Sequence, residues 1–245
     1  MKPFLITLLL VGLAACSAPE KPAVPAAPPR PAAVPGPDIG ALTDSTAPAA
    51  LLAYGRQYPG SEVLISTRLG NIRLHLFEDT PIHRANFLLL VRKGVFDETV
   101  FNRVVRGFAI QGGQTSERRS IRLRRYRLPP EIRPDHCHRR GALGMARYDD
   151  DQNPGRLSSN TDFYFIQGEV LTPAQARAAA GRPLTPAQTK AYATVGGAPS
   201  LDGQYTVFGE ITEGLDVLDK IAAVPVNAQD HWPDKEVYIK ARVVK

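Results

Sequence analysis

Apolar residues along this chain mostly alternate with polar ones in short runs, and helical spacing takes over in only a few places. Residues 62–77 hold two alternating runs around Leu69-Gly-Asn71, which predicts a β-hairpin. Thr80 and Pro81 form a helix start, as N-cap and first helical residue. Ala85, Leu88, Leu89 and Val91 then give one apolar side, and Gly94 ends the helix. Strand-like segments follow at 99–111, 121–128, 142–146, 163–167 and 205–211. A second helix fits 215–222 and a last strand 237–244, while 51–58 suits a short lead-in helix. So many strands with two core helices predict a mainly β domain, a closed barrel whose ends the helices plug.

Two regions fall outside that pattern. Between Gly168 and Pro199, Leu171-Thr-Pro-Ala-Gln175 and Leu184-Thr-Pro-Ala-Gln188 each place a Thr cap before a Pro at the first helical position. They predict two short helices on a surface insertion (168–199). At the N-terminus, Lys2 precedes an apolar run from Phe4 to Leu13 that is too short to span a bilayer. Leu13-Ala-Ala-Cys16 resembles the lipobox of bacterial lipoproteins. The resemblance implies a signal peptide (1–15), cleavage before Cys16, and lipidation of that residue. Several acyl chains would make a lasting anchor, at about 0.8 kcal/mol per buried methylene. Ser17 is not the Asp associated with inner-membrane retention, so the expected location is the outer membrane, facing the periplasm. Residues 16–50 are rich in Pro and Ala and are expected to form an extended tether, reaching up to about 100 Å at roughly 3 Å per residue. A lead-in segment (51–61) joins the tether to a domain spanning 62–245.

Composition adds constraints. The 245 residues carry a modest net charge of +6 and contain two cysteines. Beyond Cys16 only Cys137 remains, so the domain has no internal disulfide and depends on its core. Arg118, Arg119, Arg122, Arg124, Arg125 and Arg127 concentrate positive charge in one stretch. That stretch suits a solvated strand edge or contact with acidic headgroups, and nucleic acid is not an expected partner. His136-Cys-His138 offers nitrogen and sulfur donors but no clear fourth ligand, and is expected on a surface loop. His75 and His83 read as hairpin and helix-surface residues. No Ser-His-Asp arrangement or phosphate loop stands out. No metal or cofactor is expected, and the chain is expected to be a monomer.

The run Phe101-Asn-Arg-Val-Val-Arg-Gly-Phe-Ala-Ile-Gln-Gly-Gly113 carries the chemistry. It places Arg103, Phe108 and Gln111 at fixed offsets on a strand-like stretch. A guanidinium beside an aromatic wall can hold a proline ring and donate to its amide. The run resembles the active-site strand of the cyclophilin-type peptidyl-prolyl isomerases. Gly141-Ala-Leu-Gly-Met-Ala-Arg147, Asp162-Phe-Tyr-Phe-Ile-Gln-Gly168 and Leu201-Asp-Gly-Gln-Tyr-Thr-Val-Phe-Gly-Glu210 resemble later motifs of that family in the same order. The resemblance covers about residue 62 to the C-terminus, and its insertion is similar to that of Bacteroidetes-type bacterial relatives.

It implies a closed eight-stranded antiparallel barrel capped by two α-helices, and proline-containing polypeptides as substrates. It assigns Arg103 as the donor to the rotating imide, Phe108 as the floor of the proline pocket, and Gln111 as the holder of the substrate backbone. Ala109, Ala146, Arg147, Asp162, Tyr164, Leu201 and Tyr205 complete the expected substrate-binding set. Four of these depart from the family pattern. Ala109 stands for a common Met and Tyr205 for a His. Asp162 replaces a Gln and is expected either to pair with Arg103 or to favour basic sequences. Arg147 replaces an Asn. The expected function is isomerisation of X-Pro bonds in exported proteins from a lipid-anchored position in the cell envelope. The alternative is a proline-peptide-binding module or chaperone with weak turnover, and a third reading is a structural adaptor using the arginine stretch and the insertion.

Overall fold

The computed structural model describes residues 36–115 and 126–245. In chain order the elements are helix α1 (Ala47–Gln57), strands β1 (Glu62–Thr67) and β2 (Gly70–Leu76), helix α2 (Pro81–Arg92), strands β3 (Thr99–Val105), β4 (Ala109–Thr115), β5 (Arg127–Leu128), β6 (Ala142–Met145), β7 (Ser158–Ser159) and β8 (Phe163–Ile166), helices α3 (Pro173–Ala180) and α4 (Pro186–Thr194), strand β9 (Val207–Glu213), helix α5 (Leu215–Ala222) and strand β10 (Lys240–Val243). Eight strands form one sheet in the order β10-β1-β2-β9-β6-β8-β4-β3, and β5 pairs with β7 apart from it.

The expected closed barrel is corrected by this topology. The sheet is a curled half-barrel with β10 and β3 at its edges. Ahead of β10, an isolated bridge joins Val100 of β3 to Tyr238. There Phe101 N donates to Val237 O at 3.0 Å and Ile239 N to Thr99 O at 2.9 Å. The predicted last strand therefore divides in use. Residues 237–239 serve this seam, and 240–243 pair with β1.

Among the described residues five helices are present where two were expected to cap a barrel; the other three are the lead-in helix and the two of the insertion. Of the core helices, α5 matches its predicted span and buries Val217, Leu218, Ile221 and Ala222. α2 begins at Pro81, but Thr80 makes no side-chain cap. Its first amides are satisfied from a distance: Ile82 N and His83 N donate to the Glu131 carboxylate at 3.1 and 2.9 Å. α1 begins at Ala47, and Ile39, Leu42, Ala47, Leu51 and Tyr54 are buried in the main core. The stretch 39–50 is thus packed against the domain rather than extended as tether. Leu51 and Tyr54 recur on one side of α1 and seat it on α2, which gives these three-residue spacings their reason.

The insertion forms the two predicted helices. In α3 and α4, Thr172 and Thr185 accept the amides of Gln175 and Gln188, whose side chains return to the cap amides. The predicted strand 205–211 appears as 207–213. Of the predicted strand 121–128, residues 121–125 lie outside the described residues, as do the expected signal segment 1–15, Cys16 and five of the clustered arginines.

The inside of the half-barrel is aromatic. Phe87, Phe96, Phe101, Phe163, Phe165 and Phe208 are fully buried, with ring centroids 5.0 Å apart for Phe87–Phe96 and 5.6 Å for Phe163–Phe165. Burying such a side chain contributes about 1.5–3 kcal/mol, so this interior anchors the sheet whose outer face carries the site.

Candidate active site

The stretch 99–111, expected as one strand, is a hairpin. β3 and β4 pair antiparallel, and the chain reverses at Arg106-Gly107-Phe108. Gly107 adopts φ 76°, a left-handed conformation that glycine takes without steric cost, and its amide donates to Gln167 Oε1 at 2.7 Å. The fold-back places Arg103 directly opposite Gln111. Gln111 in turn faces Tyr164 on β8, Tyr164 faces Gly144 on β6, and Gly144 faces Val207 on β9. Opposed residues share a sheet face, so Arg103, Gln111, Tyr164, Gly144 and Val207 form one row across five strands. The neighbouring row, Val104-Ile110-Phe165-Leu143, is buried in the main core. The site row therefore occupies the outer face.

A second, smaller apolar cluster covers that face. Ala109, Ala142, Tyr164, Ile166, Ala198 and Val207 are buried there, with Phe77, Phe108, Ala146, Leu201 and Tyr205 packed against them. Six of the predicted site residues meet in it: Phe108, Ala109, Ala146, Tyr164, Leu201 and Tyr205. The rings of Tyr164 and Tyr205 stand edge to face at 6.1 Å. Beside the cluster lies a cleft of about 520 Å³ whose wall includes Gln111, Ala146, Arg147, Asp162 and Asp44. Gln111 and Ala146 border both regions, or join them: the first by its place in the row, the second by lining cleft and cluster alike.

Arg103 is exposed in the free protein, so the protein alone builds no water-poor niche around it. Low polarity at the guanidinium has to come from a substrate covering it. Asp162 is not paired with Arg103. It accepts a hydrogen bond from Ser159 Oγ at 2.7 Å, and its own amide donates back to that hydroxyl at 3.1 Å. Arg147 is held firmly at the rim, its side chain 3% exposed. Its guanidinium lies 4.5 Å from the Tyr205 ring centroid and pairs with Asp150 at 2.6 Å, while Nε donates to Gln204 O at 2.9 Å. Arg156 and, after it, Arg147 hold the Asp150 carboxyl below the usual carboxylate range.

His83 and His138 differ from their expected surface positions. His136 and His138 diverge: the first reaches Val207 O and Asp79 at the surface, the second is fully buried. His138 Nδ1 lies 2.9 Å from Asp202 Oδ1 and Nε2 lies 2.9 Å from the Tyr164 hydroxyl. Burial holds its imidazole below the ordinary pKa against the upward pull of Asp202. Burial would raise the Asp202 carboxyl, yet the bonds from His138 and Tyr192 carry it below its ordinary value. His83 is also fully buried, with Glu131 at 2.7 Å and Ser158 Oγ at 3.0 Å. That Ser-His-Glu line was not visible in sequence, since its members are up to 75 residues apart. Ser158 is 1% exposed, so no substrate reaches it, and the line serves to fix the start of α2.

Comparison with known proteins decides the family. The model of the "Cyclophilin type peptidyl-prolyl cis-trans isomerase/CLD" family matches residues 62–244. The chain belongs to the cyclophilin-type peptidyl-prolyl cis-trans isomerase family. A relative from Streptococcus pyogenes, named as a bifunctional phosphatase/peptidyl-prolyl cis-trans isomerase, is 34% identical over 188 residues. The match takes in 75% of this chain and 38% of that protein. Peptidyl-prolyl cis-trans isomerase-like 2 of Rhizopus delemar is 32% identical over 72% of this chain and 27% of its own length. The chain thus spans well under half of either relative. A crystal structure of a Cryptosporidium parvum cyclophilin, solved in the presence of the dipeptide Ala-Pro, shares the fold at TM-score 0.54 and 23% identity. That superposition covers 75% of this chain and 99% of the parasite protein.

Proposed function

We propose that this chain isomerises X-Pro peptide bonds, with the outer-face row as its active site. The observation that carries the reading is the register Arg103–Gln111–Tyr164, which sets a cation, an amide and an aromatic wall side by side on three adjacent strands.

The chemistry follows from the bond. Resonance gives the imide C–N bond double-bond character and a barrier of about 18–20 kcal/mol. The two isomers differ by only about 0.5–1 kcal/mol. Twisting returns a lone pair to nitrogen, and a donor that meets it only then stabilises the transition state selectively. Arg103 supplies that donor, a forked guanidinium. Phe108, Tyr164, Leu201 and Tyr205 receive the proline ring, and Gln111 holds the preceding backbone. The ring and chain of the substrate exclude water from the exposed guanidinium, which strengthens the bond when it matters. No nucleophile or proton transfer is needed.

Arg103→Ala in the full chain is the direct test. The kcat/KM for an Ala-Pro test peptide should fall by about 10²–10³-fold, as for removal of one transition-state donor, with peptide affinity nearly retained. An unchanged rate would sink the assignment. A folded parent that binds proline peptides without measurable turnover would instead assign the peptide-binding or chaperone role, which the exposure of Arg103 favours.

The second part of the proposal concerns place. Lipidation at Cys16 would hold the domain at an envelope membrane, with exported polypeptides as clients. The support is Leu13-Ala-Ala-Cys16 behind its short apolar run. Because 39–50 packs on the domain, the spacer shortens to 17–38. At about 3 Å per residue its reach is no more than roughly 70 Å.

A further inference from the structure

The insertion is physically joined to the wall of the proline pocket. Asp202 follows Leu201 and is 4% exposed. Its Oδ1 accepts from His138 N at 2.8 Å and faces His138 Nδ1 at 2.9 Å. Its Oδ2 accepts from the Tyr192 hydroxyl of α4 at 2.7 Å and from Arg182 Nη2, between α3 and α4, at 3.0 Å. A carboxylate has only lone pairs to offer, so His138 carries its hydrogen on Nδ1. Nε2 is then an acceptor, and the Tyr164 hydroxyl, 2.9 Å away, donates to it. The hydrogen bonds run in one direction, from the pocket wall through His138 to Asp202, and from the insertion to the same carboxylate.

This connection has something to control. Gly144 stands opposite Tyr164 on β6, and a Cβ there would lie 2.2 Å from Tyr164 Cζ. The ring therefore rests over bare backbone with no side chain beneath it. Its far end is held by the hydroxyl. The backbone of β8 fixes where Tyr164 starts, and His138 fixes where it ends.

We propose that the insertion is a specificity-determining element: Tyr192 and Arg182 set the position of the Tyr164 wall through Asp202 and His138, and so tune how tightly proline segments are held. The proposal deepens the active-site reading above and rests on it. Asp202, His138, Tyr192 and Arg182 are positioning residues, since none of them is placed against substrate. Their effect belongs in binding rather than in the chemical step.

A double-mutant cycle in the full chain tests this. Tyr192→Phe should raise KM for an Ala-Pro peptide by about three- to tenfold with kcat held within about twofold, the range expected for coupled members of one network. With Tyr164→Phe, which cuts the tie at the pocket end, the further change Tyr192→Phe should move KM by less than about 1.5-fold. Peptide affinity measured by titration reads the same cycle and does not depend on turnover. Equal effects of Tyr192→Phe in both backgrounds, or none in either, would overturn the proposal. Should Tyr192→Phe fail to fold, Arg182→Ala, whose side chain is 33% exposed, carries the same cycle with the same two outcomes. Absent turnover in the unvaried chain counts against the isomerase assignment, and loss of coupling alone counts against this one.

Discussion

At Gly144 a single hydrogen in place of a side chain makes room for the Tyr164 ring. Gly144→Ala would put a methyl 2.2 Å from Cζ and 2.4 Å from the hydroxyl, so the ring must leave its place. Overpacking of this kind costs about 1–3 kcal/mol. The expected result is a lower denaturation midpoint together with weaker peptide binding, checked by urea unfolding and titration. His138 and Asp202 give a second expectation, in pH. Both groups have folded pKa values below their unfolded ones. For His138 the unfolded chain takes a proton from about pH 6.5 downward that the folded chain refuses, so stability is present above that pH and lost below it. For Asp202 the folded state stays ionised below the unfolded carboxyl value of about 3.9, so its contribution is lost only under stronger acid. Unfolding free energy should therefore decline in two stages on acidification, the first beginning below about pH 6.5. In His138→Gln the first stage should shrink, and an unaltered slope there would refute the assignment to His138.

Elements whose determinants are local were legible from sequence, and those fixed by distant partners were not. The capping boxes of α3 and α4 lie within four residues, so Thr-Pro-Ala-Gln alone was enough to place them. α5 showed the same clarity through its apolar stripe. The start of α2 was correctly placed at Pro81, yet its cap comes from Glu131, which no local pattern reveals. The break of 99–111 into a hairpin was signalled by Gly107, but the alternation on either side masked it. For the site, six of the expected residues meet in one cluster, but the geometry that joins them was not legible. Which residues share the outer row depends on strand pairing, and the buried His138–Asp202 link joins positions 64 apart. The N-terminal boundary failed because Ile39, Leu42 and Ala47 are sparse among prolines and alanines, although each finds a place in the core. That yields a prediction for the element. A chain starting at Glu62 loses α1 and exposes the surface that Leu51 and Tyr54 cover. At about 1.5–3 kcal/mol for each such side chain and roughly 2–4 °C per kcal/mol for a domain of this size, it should melt about 6–24 °C below a chain starting at Gly36. Equal melting temperatures would show that α1 is dispensable.

At the scale of the whole molecule, placement and catalysis draw on different parts of the chain. Among the described residues no helix is long and apolar enough to cross a membrane; in the envelope proposal the attachment is covalent lipid at Cys16. A single acyl chain gives only reversible binding, whereas several on one residue hold lastingly. The isomerase face needs none of this, because the row of Arg103, Gln111 and Tyr164 is set entirely by strands β3, β4 and β8. Attachment and catalysis should therefore separate. Cys16→Ser is expected to move the protein from the membrane fraction to the soluble one and to abolish incorporation of labelled fatty acid. The kcat/KM of the released protein on a free Ala-Pro peptide should remain within about twofold, since the substitution lies far in sequence from every residue of the site. Unchanged membrane retention with no label incorporated would refute lipidation as the anchor, and a large fall in kcat/KM would show that the N-terminal segment reaches the active face.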